Sequence, residues 1–237
     1  MKNHYIEDAF LVSFPKAGRT WIRVMLAKLL QMNGGNPKKL ELIRFRHDGA
    51  GALIHHASKE SWKDDRVILL VRSPKDIIVS FYFQVTLREK KIWGYEGTLS
   101  DFIRSEKYGI NTVIKFYNCW AENLSVPKNL MLLRYEYMHE NPLRELTRIC
   151  NFLDLPINVD LKEVIEYSSF DNMKEMDRGK KDHLLSNRGG FMSPGDNPER
   201  FKVRKGKIGG YLYYLNKEDI AYVDEQTKFL NSYYGYS

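Results

Sequence analysis

Cysteine is scarce in this chain: 237 residues contain two, Cys119 and Cys150. Neither sits in a Cys-x-x-Cys spacing or beside a histidine cluster, so a disulfide framework and a zinc site are both excluded from the reading. A reducing compartment, the cytoplasm, is the expectation. Long apolar runs are lacking as well, and none approaches the roughly eighteen residues that a membrane-spanning helix needs. Residues Met1 to Asp8 carry acids where a leader would need its apolar core, so the expectation is a soluble, unprocessed chain without stable membrane insertion. Blocks of five or six like charges are also missing. The tightest basic cluster, Lys202 to Lys207, is interrupted by Val203 and Gly206. A formal charge of +7 and a pI near 9.2 therefore suit a shaped phosphate pocket better than a nucleic-acid track.

Hydrophobic residues make up 43% of the chain, enough for one sizeable core and a single domain across residues 1–237. Ala9 to Ser13 is a short apolar run, followed by Pro15 and Gly18 and then by Trp21, Val24, Met25 and Leu29 at helical spacing. Val67 to Val71 is continuous rather than alternating, as a parallel strand covered on both faces must be. After it come Ser73 as N-cap, Pro74 at the first helical position, and Ile77, Ile78, Phe81 and Val85 on one face. Leu130 to Arg134 begins a third unit, with Leu143, Leu146, Ile149, Cys150 and Leu153 on its helix. Three strand-then-helix units predict an α/β fold, a doubly wound and mostly parallel central sheet flanked by helices. From Met176 to Gly210 the chain is glycine-rich and aperiodic, which marks about 177–200 as a lid or acceptor segment. A last helix is expected from Asn216, with Asp219 as capping partner and Ile220, Val223, Phe229 and Leu230 as apolar contacts.

Ligands in such sheets sit at the carboxyl ends of the strands. Three basic elements compete for that place. The loop Pro15 to Trp21 opens a helix, so its backbone N–H groups and the helix dipole attract an anion, Lys16 adds a full charge and Gly18 admits close approach. It lacks the Gly-Lys-Ser/Thr of a Walker A loop. Arg72 follows the second strand and offers a planar fork, with Ser80 eight residues on. Arg204-Lys205-Gly206 joins two donors to a permissive backbone. Taken singly, each is also consistent with an ordinary turn, a surface arginine or a solvated charge run.

Taken together and in order, they resemble the cytosolic-type sulfotransferase family. Ser13 to Trp21 is similar to that family's loop for a 5′-phosphosulfate, and Arg72-Ser73-Pro74-Lys75-Asp76 through Ser80-Phe81-Tyr82 to its 3′-phosphate motif. Leu133 to Met138 resembles the segment whose tyrosine contacts the adenine side, and Ser168 to Met173 the one whose phenylalanine stacks near adenine. The resemblance spans roughly residues 9–210. It implies a P-loop-kinase-like fold and sulfuryl transfer from 3′-phosphoadenosine-5′-phosphosulfate (PAPS), leaving 3′-phosphoadenosine-5′-phosphate (PAP), to a hydroxyl or amine of a small acceptor, with no metal. It further implies that Lys16, Ala17, Gly18, Arg19, Thr20 and Trp21 hold the 5′ end. Arg72, Ser80, Arg204, Lys205 and Gly206 would hold the 3′-phosphate, and Trp21, Tyr135, Ser168 and Phe170 would lie on the nucleotide side. Lys16 and Ser80 count among the catalytic residues.

The implied general base is His47, in Arg44-Phe45-Arg46-His47-Asp48-Gly49, with His55 and His56 as rivals. The usual Lys-Thr-His-Leu-Pro-like surroundings are absent. Ala17 and Arg19 stand where Ser and Thr are common, and Lys207-Ile208-Gly209 where Gly-Asp-Trp is usual. Two other functions stay open at this level: a P-loop-type nucleotide or adenylylsulfate kinase, and a nucleic-acid-binding module. Homodimerisation also stays open. Phe83 to Tyr108, with Trp93, Tyr95, Phe102 and Tyr108, offers either acceptor walls or core.

Overall fold

The apolar runs form the middle of a four-stranded sheet in a computed structural model that describes residues 9–37, 62–185, 191 and 197–236, and the backbone of 44–47. β1 (Ala9–Ser13) and β3 (Arg66–Val71) lie side by side, buried along nearly their whole length. β4 (Asn129–Arg134) flanks β3 and alternates in exposure, as an edge strand does. β2 (Arg44–His47) flanks β1, so the order is β2-β1-β3-β4 with every pair parallel. The chain thus leaves β1 for one side of the sheet and returns with β3 on the other. That reversal opens a crevice beyond the carboxyl ends of β1 and β3.

Both phosphate-type segments begin at this crevice. α1 (Arg19–Met32) follows β1 and buries Ile22, Met25, Leu26 and Leu29. α2 (Pro74–Phe83) follows β3 with Pro74 in its first turn; Ser73 holds the N-cap position without a side-chain cap, and its N–H instead donates to Glu136. α2 continues into a π-helical turn, Gln84–Arg88, then α3 (Lys90–Trp93), α4 (Leu99–Arg104) and α5 (Ile110–Ala121). After β4 come α6 (Tyr135–Glu140), α7 (Pro142–Phe152), α8 (Leu161–Tyr167), α9 (Phe170–Asp177) and finally α10 (Lys217–Thr227).

Asn216 caps α10 by accepting from the Asp219 N–H at 2.8 Å. Asp219 does not reciprocate as a capping box would: its carboxylate accepts from Ser100 Oγ and Arg104. Two expected apolar contacts face out, Leu143 at 38% exposure and Phe229 at 69%. Leu146, Ile149, Cys150 and Leu153, with Val223 and Leu230, carry those burial faces instead.

The aromatic region after α2 resolves in favour of core. Phe102 and Tyr108 are buried and stacked at 5.7 Å. Phe81, fully buried, meets Phe102 at 5.6 Å and Trp93 at 5.5 Å. Trp93, Tyr95, Phe102 and Tyr108 therefore pack the flank of α2 rather than wall a cavity. A smaller apolar cluster joins Val24 and Ala27 of α1 to Met173, Met176, Leu185, Phe191 and Val203, which ties the described part of the glycine-rich stretch to the sheet's first helix.

Candidate anion-binding site

The loop after β1 is shaped by two left-handed residues, Lys16 at φ 73° and Gly18 at φ 110°. A lysine in that region costs on the order of 1–3 kcal/mol, the kind of strain that persists where a structure is put to use. Gly18 admits nothing larger, because a Cβ there would lie 2.5 Å from Cδ2 of Tyr135. Gly18 also occupies the N-cap position of α1, where no side chain caps and no acid sits in the first turn. The Trp21 N–H is drawn back to the Gly18 carbonyl at 2.9 Å, and the helix start turns its positive end toward the crevice, where an anion is favoured.

Arg72 is held at both its backbone and its side chain. The buried Tyr117 hydroxyl accepts from the Arg72 N–H at 2.8 Å and donates to its carbonyl at 2.7 Å. The guanidinium donates to the carbonyls of Lys16 at 3.3 Å and Lys207 at 3.0 Å, and lies 4.2 Å over the Tyr135 ring. Asp76, in the first turn of α2, accepts from the N–H groups of Gly209 and Tyr211 at 2.9 and 3.0 Å. Three distant segments are thereby fastened around one arginine. Replacing Tyr117 with Phe strands both backbone groups of Arg72, so the variant should lose about 1–3 kcal/mol of stability, measured by urea unfolding. Unchanged stability would show that those groups find other partners.

The late segment is fitted to α9. Gly206 has φ 58°, and a Cβ on it would fall 2.3 Å from the Phe170 ring. Arg204 donates to Glu199 at 3.1 Å and to the Tyr214 hydroxyl at 2.6 Å, while Lys205 lies over the rings of Tyr213 and Tyr214.

These segments meet at a cavity of about 600 Å³. Lys16, Gly18, Arg19, Thr20, Trp21, Arg72, Ser80, Tyr135, Phe170, Arg204, Lys205 and Gly206 all line it. Ala17 is fully buried and is not part of the wall. Ser168 is buried too, its hydroxyl donating to the Ile165 carbonyl at 3.1 Å, so the sequence-based placement of Ser168 on the nucleotide is not supported by its position; Ser169 lines the cavity instead. The backbone of His47 pairs beside Ser13 at the carboxyl end of β2, and His55 and His56 lie outside the described residues.

The wall also contains Lys202, from the basic cluster, and three residues that no motif announced: Arg88, Glu89 and His139. His139 packs against Trp21 at 4.9 Å and Tyr135 at 4.7 Å. Buried polar atoms without a partner among the described residues, Arg72 Nε, Arg204 Nε and Trp21 Nε1, suit a polar ligand at this place.

Crowded cations change the site's protonation. Burial first, then Arg88, Lys202 and Arg204, bring Lys16 down to about 7 from 10.5. Burial first, then Arg88 and Arg23, bring Lys202 to about 7. An arriving polyanion favours the charged ammonium, so binding should take up protons. Affinity for a polyanion is then highest below pH 7 and falls above it, with a limiting slope of about one decade per pH unit for each lysine that charges. The sign for folding is opposite in direction: a lysine depressed in the folded state makes the unliganded protein more stable as pH rises from about 7 toward 10.5. Calorimetry of nucleotide polyphosphate binding in buffers of different ionisation heat at pH 8 measures the uptake; heats independent of buffer would mean that both lysines are already charged.

A parallel sheet with a cation-lined cavity at its reversal point defines the class, an α/β protein with an anion-binding crevice. Comparison with known proteins makes it specific. The model of the sulfotransferase domain family matches residues 52–234. Similar proteins include cytosolic sulfotransferase 13 of Arabidopsis thaliana, 26% identical with 93% of this chain and 76% of the relative covered. Sulfotransferase 2A1 of Rattus norvegicus is 28% identical, with 86% and 78% covered. Among solved structures, mouse sulfotransferase SULT7A1 complexed with PAP shares the fold at a TM-score of 0.68, 21% identity, and 94% and 84% coverage. Retinol dehydratase in complex with androsterone and inactive cofactor PAP does so at 0.67, 15% identity, and 94% and 80%. The chain belongs to the sulfotransferase domain family and is a sulfotransferase. Among the described residues, no helix is long and apolar enough to cross a membrane.

Proposed function

We propose that this cavity binds PAPS along the crevice and that the chain transfers its sulfuryl group to a hydroxyl or amine of a small acceptor, with His47 as general base. The observation that carries the reading is convergence: segments near residues 16–21, 72–80, 135, 170 and 204–206 surround one cavity at the carboxyl ends of β1 and β3. PAPS supplies an activated sulfur whose bond to the phosphate oxygen breaks, the electron pair remaining on that phosphate, as a bond forms to the acceptor.

Each residue then has a task. The loop backbone from Gly18 to Thr20, the start of α1 and the Lys16 ammonium hold the 5′ end and stabilise charge gathering on the departing phosphate. Arg72, Ser80, Arg204, Lys205 and Gly206 hold the 3′-phosphate, while Trp21, Tyr135 and Phe170 wall the adenine. His47 removes the acceptor proton; its backbone stands beside Ser13, three residues before Lys16. Residues 177–200 serve as the acceptor-side cover of a single domain, and the cytoplasm supplies the compartment. Incubation with labelled PAPS and pooled hydroxylated and amine metabolites tests the reading: labelled product and stoichiometric PAP without added magnesium are expected. Phosphoryl transfer from ATP that requires magnesium would favour a kinase instead.

A further inference from the structure

The cavity is more cationic than the donor motifs account for. Nine of its described lining residues are Lys or Arg and three are Asp or Glu, whereas PAPS brings only about four negative charges. Arg88 is the informative member. Ser80, Gln84 and Arg88, each four residues apart, all line the cavity, and the π-helical turn Gln84–Arg88 delivers the last of them there. Turns of this kind recur at functional sites. Arg88 is partly buried yet its side chain makes no hydrogen bond or ion pair among the described residues, although the charges of Asp177 and Glu89 act on it. Glu89 is itself held, accepting from Gln84 Nε2 at 2.9 Å and Trp93 Nε1 at 2.8 Å.

Arg88 belongs to none of the donor segments, but it shares with Lys16 and Ser80 both the main cavity and a shallow recess lined also by Phe83, Arg200, Phe201 and Arg204, and by Glu199, whose carboxylate is engaged by Arg204 at 3.1 Å. Of the cations that depress Lys16, Arg88 acts most strongly, after burial itself. A guanidinium kept half out of water without a partner is costly unless a ligand supplies one.

We propose that Arg88 anchors an anionic group on the acceptor, so that this enzyme sulfates hydroxyl or amine compounds that already carry a carboxylate, phosphate or sulfate. The inference rests on the donor assignment above and adds the acceptor's charge class. Planar carboxylates and phosphates match the fork of an arginine, which offers paired donors.

The test uses the full chain loaded with PAP, titrated with 4-hydroxybenzoate and with its neutral amide, 4-hydroxybenzamide. The carboxylate should bind about tenfold more tightly, the size of one charge-assisted hydrogen bond. Arg88→Gln should abolish that preference, Arg88→Lys should restore part of it, and PAP affinity should change far less than the preference does. Equal binding of acid and amide, no binding of either to the PAP complex, or a preference that survives Arg88→Gln would overturn the proposal. So would a loss confined to PAPS binding, which would assign Arg88 to the transferred group. Failure of PAP itself to bind would overturn the donor assignment instead, and is read separately in the first titration.

Discussion

His47→Ala should lower turnover by about 10²–10⁴-fold, the usual contribution of a positioned proton acceptor, while PAP binds nearly as before. The argument is one of place. β2 pairs with β1 through Phe10–Arg44 to Ser13–His47, so position 47 ends its strand level with the start of the Lys16 loop. As the proposed base, His47 belongs to none of the nucleotide-binding segments, which is why rate and donor affinity should separate. The measurement is single-turnover transfer from PAPS alongside PAP titration. Turnover unchanged in His47→Ala would pass the role to His55 or His56, and a parallel loss of PAP affinity would mark His47 as part of the donor site.

Arg72→Ala should weaken PAP by roughly 1.5–3 kcal/mol, as expected for lost hydrogen bonds to a charged group. The structure adds a second component to this loss. Arg72 also ties the carbonyl of Lys16 to that of Lys207, so its removal loosens the loop that holds the 5′ end. Adenosine 5′-phosphate, which lacks the 3′-phosphate, should therefore weaken slightly as well. The difference between the two nucleotides isolates the 3′ contact. Equal losses would remove Arg72 from the 3′ site and leave it as a brace.

The central strands were legible because a strand covered on both faces must be apolar throughout, and Val67 to Val71 has no other economical reading. β2 was not, since Arg44-Phe45-Arg46-His47 carries no apolar run and owes its strand to its neighbour. The stripe Val113, Phe116, Tyr117 and Trp120 has helical spacing, so α5 is visible in principle. That Tyr117 would bracket Arg72 is not, because 45 residues separate them. Order and residue type sufficed to bring Lys16, Arg72, Tyr135, Phe170 and Gly206 to one cavity wall. Arg88 and Glu89 escaped because a π-helical turn shifts the helical register, and nothing in Gln84-Val85-Thr86-Leu87-Arg88 announces the extra residue. Ser168 went the other way: one position apart, Ser168 faces the protein and Ser169 the cavity.

The carboxylate of Asp76 has a consequence beyond its two hydrogen bonds. It grips backbone 133 and 135 positions further along the chain, so a nucleotide that needs both α2 and the Arg204–Gly206 segment can bind only when the last third of the chain has docked. Nucleotide binding is then linked to that docking as to folding itself, and donor occupancy reports on the integrity of the chain's most distant parts.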